Sequence, residues 1–244
     1  MTAIASPHNP RLKSLRRLHT KRERARSGLF VAEGEDLVAA AASAGRPAVA
    51  GYRVSGSGAG GERFLDVDAE ALASASTLGS GTRVIGVYEQ RWGAPAGPLC
   101  VYLHGVGDPG NVGTILRAAE AFGASSVALG PGCADPHSPK AVRASMGAVF
   151  GVQLARAGSF EQLPGTRIAL VPGTAERLRP PAEVAAEGLT LLVGGERHGL
   201  PGELIEACEV AASIPIAGDS LNAAMAATVA LYEMTRQEGT VPAS

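Results

Sequence analysis

Aromatic residues are scarce in this chain: Phe, Trp and Tyr make up 4% of its 244 residues, too few for a nucleic-acid surface built mainly on base stacking. Recognition of a nucleic acid would have to lean on charge and hydrogen bonds. Cysteine is sparse as well. Cys100, Cys133 and Cys208 are odd in number, widely spaced and without an accompanying His pair, which argues against a disulfide framework or a zinc site and fits a reducing cytoplasm. No apolar run approaches the ~18 residues of a membrane span. The basic N-terminus is not followed by the apolar stretch of a signal peptide. The expectation is an unprocessed cytoplasmic protein with no membrane and no metal partner.

Net charge is small too, −1 at pH 7, but it is unevenly spread. Residues 1–30 hold eight Lys or Arg against one acid, so the other 214 residues carry about −8. A hydrophobic content of 45% is enough for one large or two modest cores. Asn9-Pro10 suits a helix start, and Leu12, Leu15 and Leu18 then line one side. Arg11, Lys13, Arg16, Arg17, Lys21, Arg22, Arg24 and Arg26 decorate the rest. Taken alone this is as much a solvated helix as a set of phosphate contacts, which would add affinity without sequence specificity.

Apolar patterning predicts strands at 29–32, 48–54, 64–67 and 83–88 with helices at 35–44 and 69–76, a small α/β unit within residues 1–92. Gly56-Ser-Gly58-Ala-Gly-Gly61 has dinucleotide-binding spacing, but an extended segment follows where that fingerprint needs a helix, so it reads as a loop and an oxidoreductase has no other support. The Gly/Pro-rich stretch 92–98 is a linker. Residues 98–244 then alternate strands near 99–106, 125–129, 168–171, 189–194 and 210–214 with helices near 111–122, 138–148, 201–207 and 222–237. That alternation predicts a mostly parallel sheet covered on both faces.

Three breaks in this second region carry chemistry-bearing residues. The first is Asp108-Pro-Gly-Asn-Val-Gly-Thr-Ile-Leu-Arg117, where a strand opens into a helix with Asn111 and Arg117 near its mouth. Alone, Asn111 is a plain N-cap and Arg117 a surface charge. Second comes Leu191-Leu-Val-Gly-Gly-Glu-Arg-His-Gly199, whose glycines permit turns that side chains would block. Glu196 there is equally a solvated acid or a partner of Arg197, and His198 has no fellow metal ligands. The third is Ile214-Pro-Ile-Ala-Gly-Asp-Ser-Leu-Asn222, where Ser220 or Asn222 suits a helix cap with Leu221, Met225, Thr228 and Tyr232 facing inward.

In residue type and order these three segments resemble the motifs of the SpoU (TrmH-like) branch of the SPOUT methyltransferases, over residues 99–234. The resemblance implies an α/β fold with a trefoil-knotted, mostly parallel sheet, a homodimer packed through the knot, and transfer of a methyl group from S-adenosylmethionine to a ribose 2′-hydroxyl of ribosomal or transfer RNA. It places Asn111, Arg117, Ser220 and Asn222 near the reacting groups, and Leu192, Gly194, Glu196, Gly199, Ile214 and Leu221 around the cofactor. A guanidinium keeps its proton at any accessible pH, which favours Arg117 as a phosphate clamp that stabilises a developing alkoxide, and the base role that the resemblance also implies for it stays open. Ser6-Pro-His-Asn-Pro and Val31-Ala-Glu-Gly34 resemble the smaller N-terminal α/β substrate-binding domain of the same family, and with it Arg11, Lys13, Arg16 and Arg17 become RNA contacts. Lys140-Ala-Val-Arg143-Ala-Ser145-Met-Gly147 also matches a family segment, bringing Arg143 and Ser145 toward RNA; by periodicity alone it is an amphipathic helix with Val142, Met146 and Val149 buried. Two departures stand out: only Asp219 separates Gly218 from Ser220, where the family loop is about two residues longer, and Ala223-Ala224 replaces a Val-containing pair. The alternatives are a non-catalytic RNA-binding or assembly factor and a base methylase of another SPOUT branch.

Overall fold

The computed structural model describes residues 3–78, 81–174, 176–178 and 188–236. The first elements are α1 (Pro10–Arg17), α2 (Lys21–Ser27), β1 (Leu29–Glu33), α3 (Glu35–Ser43), β2 (Ala50–Val54), β3 (Leu65–Val67), α4 (Ala69–Ala73) and β4 (Val84–Glu89). There follow β5 (Leu99–His104), α5 (Pro109–Ala121), β6 (Ser126–Leu129), α6 (Pro139–Ser145), α7 (Ala148–Gly151) and β7 (Gln153–Arg156). The last are β8 (Thr166–Leu170), β9 (Leu189–Gly194), α8 (Gly202–Glu206), β10 (Val210–Ala212) and α9 (Ala223–Thr235). Packing divides them into two compact units, Met1–Arg91 with Asp135–Gly151, and Trp92–Ala134 with Val152–Ser244.

The first unit is built on a four-stranded sheet in the order β1-β4-β2-β3, antiparallel except for the β2–β3 pair. Helix α1 starts where the Asn9 side chain accepts the Arg11 N–H at 2.9 Å with Pro10 at N1. Leu12, Leu15 and Leu18 are all buried, packed with Val31, Leu72, Ile85 and Val87; each buried Leu contributes about 1.5–3 kcal/mol. Because side chains alternate along a strand, Phe30 and Tyr88 turn to the opposite face. There they meet Phe150 and His137, with ring centroids 5.6 Å (Phe30–Phe150), 4.8 Å (Tyr88–Phe150) and 4.6 Å (Phe30–His137) apart.

Through that aromatic cluster the segment Asp135–Gly151 packs with the first unit. Arg24 reinforces it and is not the solvated cation expected of it. It is 3% exposed, donates to the carbonyls of Leu18 and His19 at 2.9 and 2.8 Å, and pairs with Asp135 at 2.8 Å. The expected helix at 138–148 is broken, since Met146 adopts a left-handed conformation (φ 50°) and ends α6. Met146 is consequently exposed rather than buried, while Ser145 is wholly buried, its hydroxyl donating to the Val142 carbonyl at 2.8 Å.

The second unit holds a six-stranded sheet, parallel throughout, in the order β10-β8-β9-β5-β6-β7. Its central strands β5 and β9 are buried on both faces, as their unbroken apolar runs require. Cys100, Tyr102 and Leu192 share one face with Ala128, Ala155, Ala169 and Leu200. Strand β7 was not anticipated: only Leu154 and Ala155 of its four residues are buried, too short a signal to separate from a loop. Helix α9 ends at Thr235, and position 237 of the expected helix lies outside the described residues. Its inward face is Ala223, Ala224, Ala227, Ala230 and Leu231, not the expected one; Met225 and Tyr232 are 64% and 54% exposed and Leu221 36%. Small side chains let α9 lie close against α5 and β9.

Replacing Asp135 by Ala would leave the Arg24 guanidinium buried without its counter-charge. We expect Asp135→Ala to cost about 3 kcal/mol in urea denaturation and Arg24→Met distinctly less, because an unpaired buried charge costs more than an absent pair; equal losses would mean the pair adds nothing beyond packing.

Candidate active site

Parallel strands deliver their carboxyl ends to one edge of a sheet, and ligands of open α/β sheets bind there. In the second unit that edge carries two clefts. One is walled by Leu170, Val171 and Pro172 at the end of β8, Val193 to Glu196 and Gly199 around the end of β9, and Ile214, Ile216, Ser220, Leu221, Ala223 and Ala226. Its cavity volume is about 160 Å³. The other is lined by His104 to Asp108 without Val106, by 195–199 and by Pro201.

Close backbone approach shapes the wall between them. A Cβ on Gly194 would run into the backbone of Gly199 and Leu200, and one on Gly195 into Gly105. At these two positions glycine is required by packing rather than by a turn; Gly199, with φ +62°, needs the left-handed conformation as well. Below this wall the Tyr102 hydroxyl lies 3.3 Å from His104 Nδ1, and burial pushes the Tyr102 hydroxyl above its ordinary pKa.

At the wall, residues from all three segments meet. Asn111 Nδ2 donates to Glu196 Oε1. Asn222 Nδ2 donates to Asn111 Oδ1 at 3.1 Å and to Glu196 Oε1 at 3.3 Å. A carboxylate only accepts, so it fixes both amides with their nitrogens inward. The backbone positions each partner. Asp108, not Asn111, is the N-cap of α5, its Oδ1 accepting the Asn111 N–H at 3.0 Å, which leaves the Asn111 amide to reach Glu196. Asn222 is the N-cap of α9, Oδ1 accepting from Ala224 and Met225 at 2.9 and 3.3 Å. One amide therefore caps a helix with its oxygen and serves the site with its nitrogen.

Of the remaining expected site residues, Gly194, Glu196, Gly199, Ile214, Ser220 and Leu221 line the first cleft. Leu192 does not: it is fully buried in the core behind β9. Arg117 lies on the exposed side of α5, lines neither cleft, and has no hydrogen-bond or ion-pair partner among the described residues. In the first unit Arg11, Lys13 and Arg17 are exposed. Arg16 instead donates to the Pro7 carbonyl at 2.7 Å and Ser74 Oγ at 3.1 Å, and Arg143 donates to Thr77 Oγ1 at 2.9 Å. Sequence reasoning missed His104 and the capping role of Asp108. Both had a signal, the end of an apolar strand and an Asp directly before a Pro at N1. Among the described residues no helix is long and apolar enough to cross a membrane, and no three His, Cys, Asp or Glu side chains group as a metal site.

A family model described as the SpoU rRNA Methylase family matches residues 98–232, more than half of the chain and all three segments. The chain belongs to that family. A second model, the MRM3-like substrate binding domain, matches residues 9–89. Among SpoU relatives, the 23S rRNA (guanosine(2553)-2′-O)-methyltransferase RlmP of Bacillus subtilis is 27% identical over 96% of this chain and 99% of its own. An uncharacterized tRNA/rRNA methyltransferase of Synechocystis is 32% identical over 98% of this chain and 95% of its own. The crystal structure of an AdoMet-bound rRNA methyltransferase from Sinorhizobium meliloti superposes with a TM-score of 0.82 at 32% identity, covering 95% of this chain and 96% of that one. The α/β fold with its parallel sheet is thus that of the SpoU enzymes.

The double duty of Asn222 separates two variants. Asn222→Ala should lower stability by about 1 kcal/mol through loss of the cap, whereas Asn222→Asp keeps an oxygen cap but sets a second carboxylate against Glu196. Thermal melts should show that the deficit of the Asp variant shrinks in high salt while that of the Ala variant does not; the same salt response in both would remove the electrostatic part of this account.

Proposed function

We propose that this protein transfers the methyl group of S-adenosylmethionine to a ribose 2′-hydroxyl of structured RNA, ribosomal RNA in the first place. The observation that carries this is the meeting of Asn111, Glu196 and Asn222, from three distant parts of the chain, where two clefts adjoin. S-Adenosylmethionine fits the first cleft: Ile214, Leu221 and Val171 offer apolar walls to a purine, side-chain-free Gly194 and Gly195 allow close approach, and Glu196 sets a negative charge toward a sulfonium. When bound, it supplies an electrophilic methyl group. The protein's part is to align two ligands, which is worth several kcal/mol of barrier, and to help a proton leave.

In this reading Gly194, Gly199, Ile214 and Leu221 hold the cofactor, Leu192 only supports the strand behind them, and Ser220 and Asn222 stand near the reacting groups. Arg117 reaches out from α5 to clamp RNA phosphate, and the exposed Arg11, Lys13 and Arg17 add phosphate contacts in the first unit. Arg16 and Arg143, already bonded to their own unit, order the surface rather than supply free charge. The likeness to SpoU rRNA methyltransferases over residues 98–232 supports a trefoil-knotted chain at this edge. The apolar strip Met225, Val229 and Tyr232 on α9, exposed by 64%, 38% and 54%, supports a second copy packing there. Light scattering should give twice the chain mass, and a monomer at micromolar concentration would rule the dimer out. The free thiols Cys100, Cys133 and Cys208 suit work in the cytoplasm.

Incubation with methyl-labelled cofactor and total RNA, followed by digestion to nucleosides, should place label on ribose; label on a base would sink the proposal. For Arg117→Ala we expect transfer to fall by about 10²-fold or more with cofactor affinity kept. Parallel loss of both would assign Arg117 to the cofactor site.

A further inference from the structure

Glu33, the last residue of β1, is 6% exposed, and no Lys, Arg or His is ion-paired with it among the described residues. Hydroxyls and a backbone N–H serve it instead. Ser76 Oγ donates to Oε2, Thr77 Oγ1 donates to Oε1 at 2.6 Å, and the Thr77 N–H is shared between the two oxygens at 3.0 and 3.1 Å. Thr82 Oγ1 lies 2.8 Å from Ser76 Oγ. A hydroxyl has one proton to give. Since those of Ser76 and Thr77 go to the carboxylate, Ser76 accepts from Thr82, and Thr77 Oγ1 has only lone pairs left. Arg143 Nη1 donates to it at 2.9 Å. A buried charge is costly unless compensated, and the cation bonded into this network is Arg143, one oxygen atom away.

That bond aims Arg143 rather than consuming it. Arg24 commits all three guanidinium nitrogens to its own unit, and Arg16 commits both terminal ones. Arg143 commits Nη1 alone, and its Nε–Nη2 edge has no partner among the described residues. Such an edge is a fork that matches two oxygens of a phosphate. The side chain is half-buried in the last turn of α6, so little rotamer freedom is left to lose when an anion arrives. We propose that Glu33 is a positioning residue that, through the Thr77 hydroxyl, turns the Nε–Nη2 edge of Arg143 toward a phosphate of the RNA substrate. This rests on the RNA substrate proposed above. Pinning the segment from Ser76 to Thr82 onto β1 accounts for the bonds to Glu33. It does not account for the bond from Arg143, because Thr77 is exposed and water would serve its oxygen equally well.

The test compares full-length wild type with Arg143→Ala, Thr77→Val, Thr77→Ser, Glu33→Gln and the double variant Thr77→Val/Arg143→Ala. Deproteinised rRNA from cells lacking this protein is the acceptor, with filter binding across salt concentrations and calorimetry for S-adenosylmethionine. Arg143→Ala should raise KM for rRNA about tenfold and lower the salt slope of RNA binding by about one. Thr77→Val should raise KM about fivefold with kcat and cofactor affinity within about twofold of wild type, whereas Thr77→Ser, which keeps the hydroxyl, should leave KM within about twofold. Glu33→Gln offers one acceptor oxygen to two hydroxyls and should raise KM as Thr77→Val does; if it does not fold, the two Thr77 variants decide. In the Arg143→Ala background Thr77→Val should change nothing further, while a merely structural role would add its full effect. The inference is overturned if Thr77→Val or folded Glu33→Gln leaves KM within about twofold, if Thr77→Ser is as impaired as Thr77→Val, or if the double variant multiplies the single effects. Wild-type KM and salt slope in Arg143→Ala would overturn it as well. A wild type that neither binds rRNA nor labels ribose removes the RNA reading itself, whereas ribose label with any of those other results removes only the link from Glu33 to Arg143.

Discussion

Backbone lies against backbone at Gly105, Gly194, Gly195 and Gly199, and everything at the site follows from that approach. A single Cβ at Gly194 or Gly195 would collide with main chain rather than with a side chain that can swing away. Because the loops after β5 and β9 touch, Asn111 at the start of α5 and Glu196 beyond β9 come within hydrogen-bonding reach. The same wall stands between the two clefts at the edge of the sheet. Glycine thus acts through what it omits.

Electrostatics then gives the site its direction. Glu196 accepts from two amides through one oxygen, and its other oxygen has no hydrogen bond among the described residues, so its charge is oriented without being neutralised. Asn222 is shared between helix and site, its oxygen satisfying the first N–H groups of α9 and its nitrogen serving the carboxylate. Local folding and chemistry draw on one residue, so the start of α9 and the geometry of the cluster cannot vary separately. In the first unit the cations divide by the same logic. Arg24 is a buried ion-paired strut, Arg16 a brace between carbonyl and hydroxyl, and Arg11, Lys13 and Arg17 are exposed.

Much of this was legible in the residues. Periodicity located β1 to β6 and β8 to β10 to within a few positions, since apolar runs bounded by Gly and Pro report burial directly. The capped start of α1 and the loop at 56–61 were equally plain. Legibility failed where long-range packing overrides a local pattern. The helix expected at 138–148 breaks at Met146, a residue with no intrinsic taste for positive φ, and the segment joins the other unit because Phe150 and His137 find Phe30 and Tyr88. The inward face of α9 was misjudged because its large residues looked like core, whereas close packing against α5 and β9 selected its alanines.

The sequence by itself determined the parallel α/β order, the three segments that carry chemistry, and the family to which the chain belongs, because strand and helix periods and residue types at fixed spacing are local properties. Only the tertiary structure decided that Asp108 caps α5 and frees Asn111, that Leu192 is core and Arg24 buried, and that Glu196 stands between two clefts. Those are consequences of contacts between residues up to 111 positions apart, as in the bond from Asn222 to Asn111. No local pattern encodes which of several polar groups will meet when distant loops close on glycine.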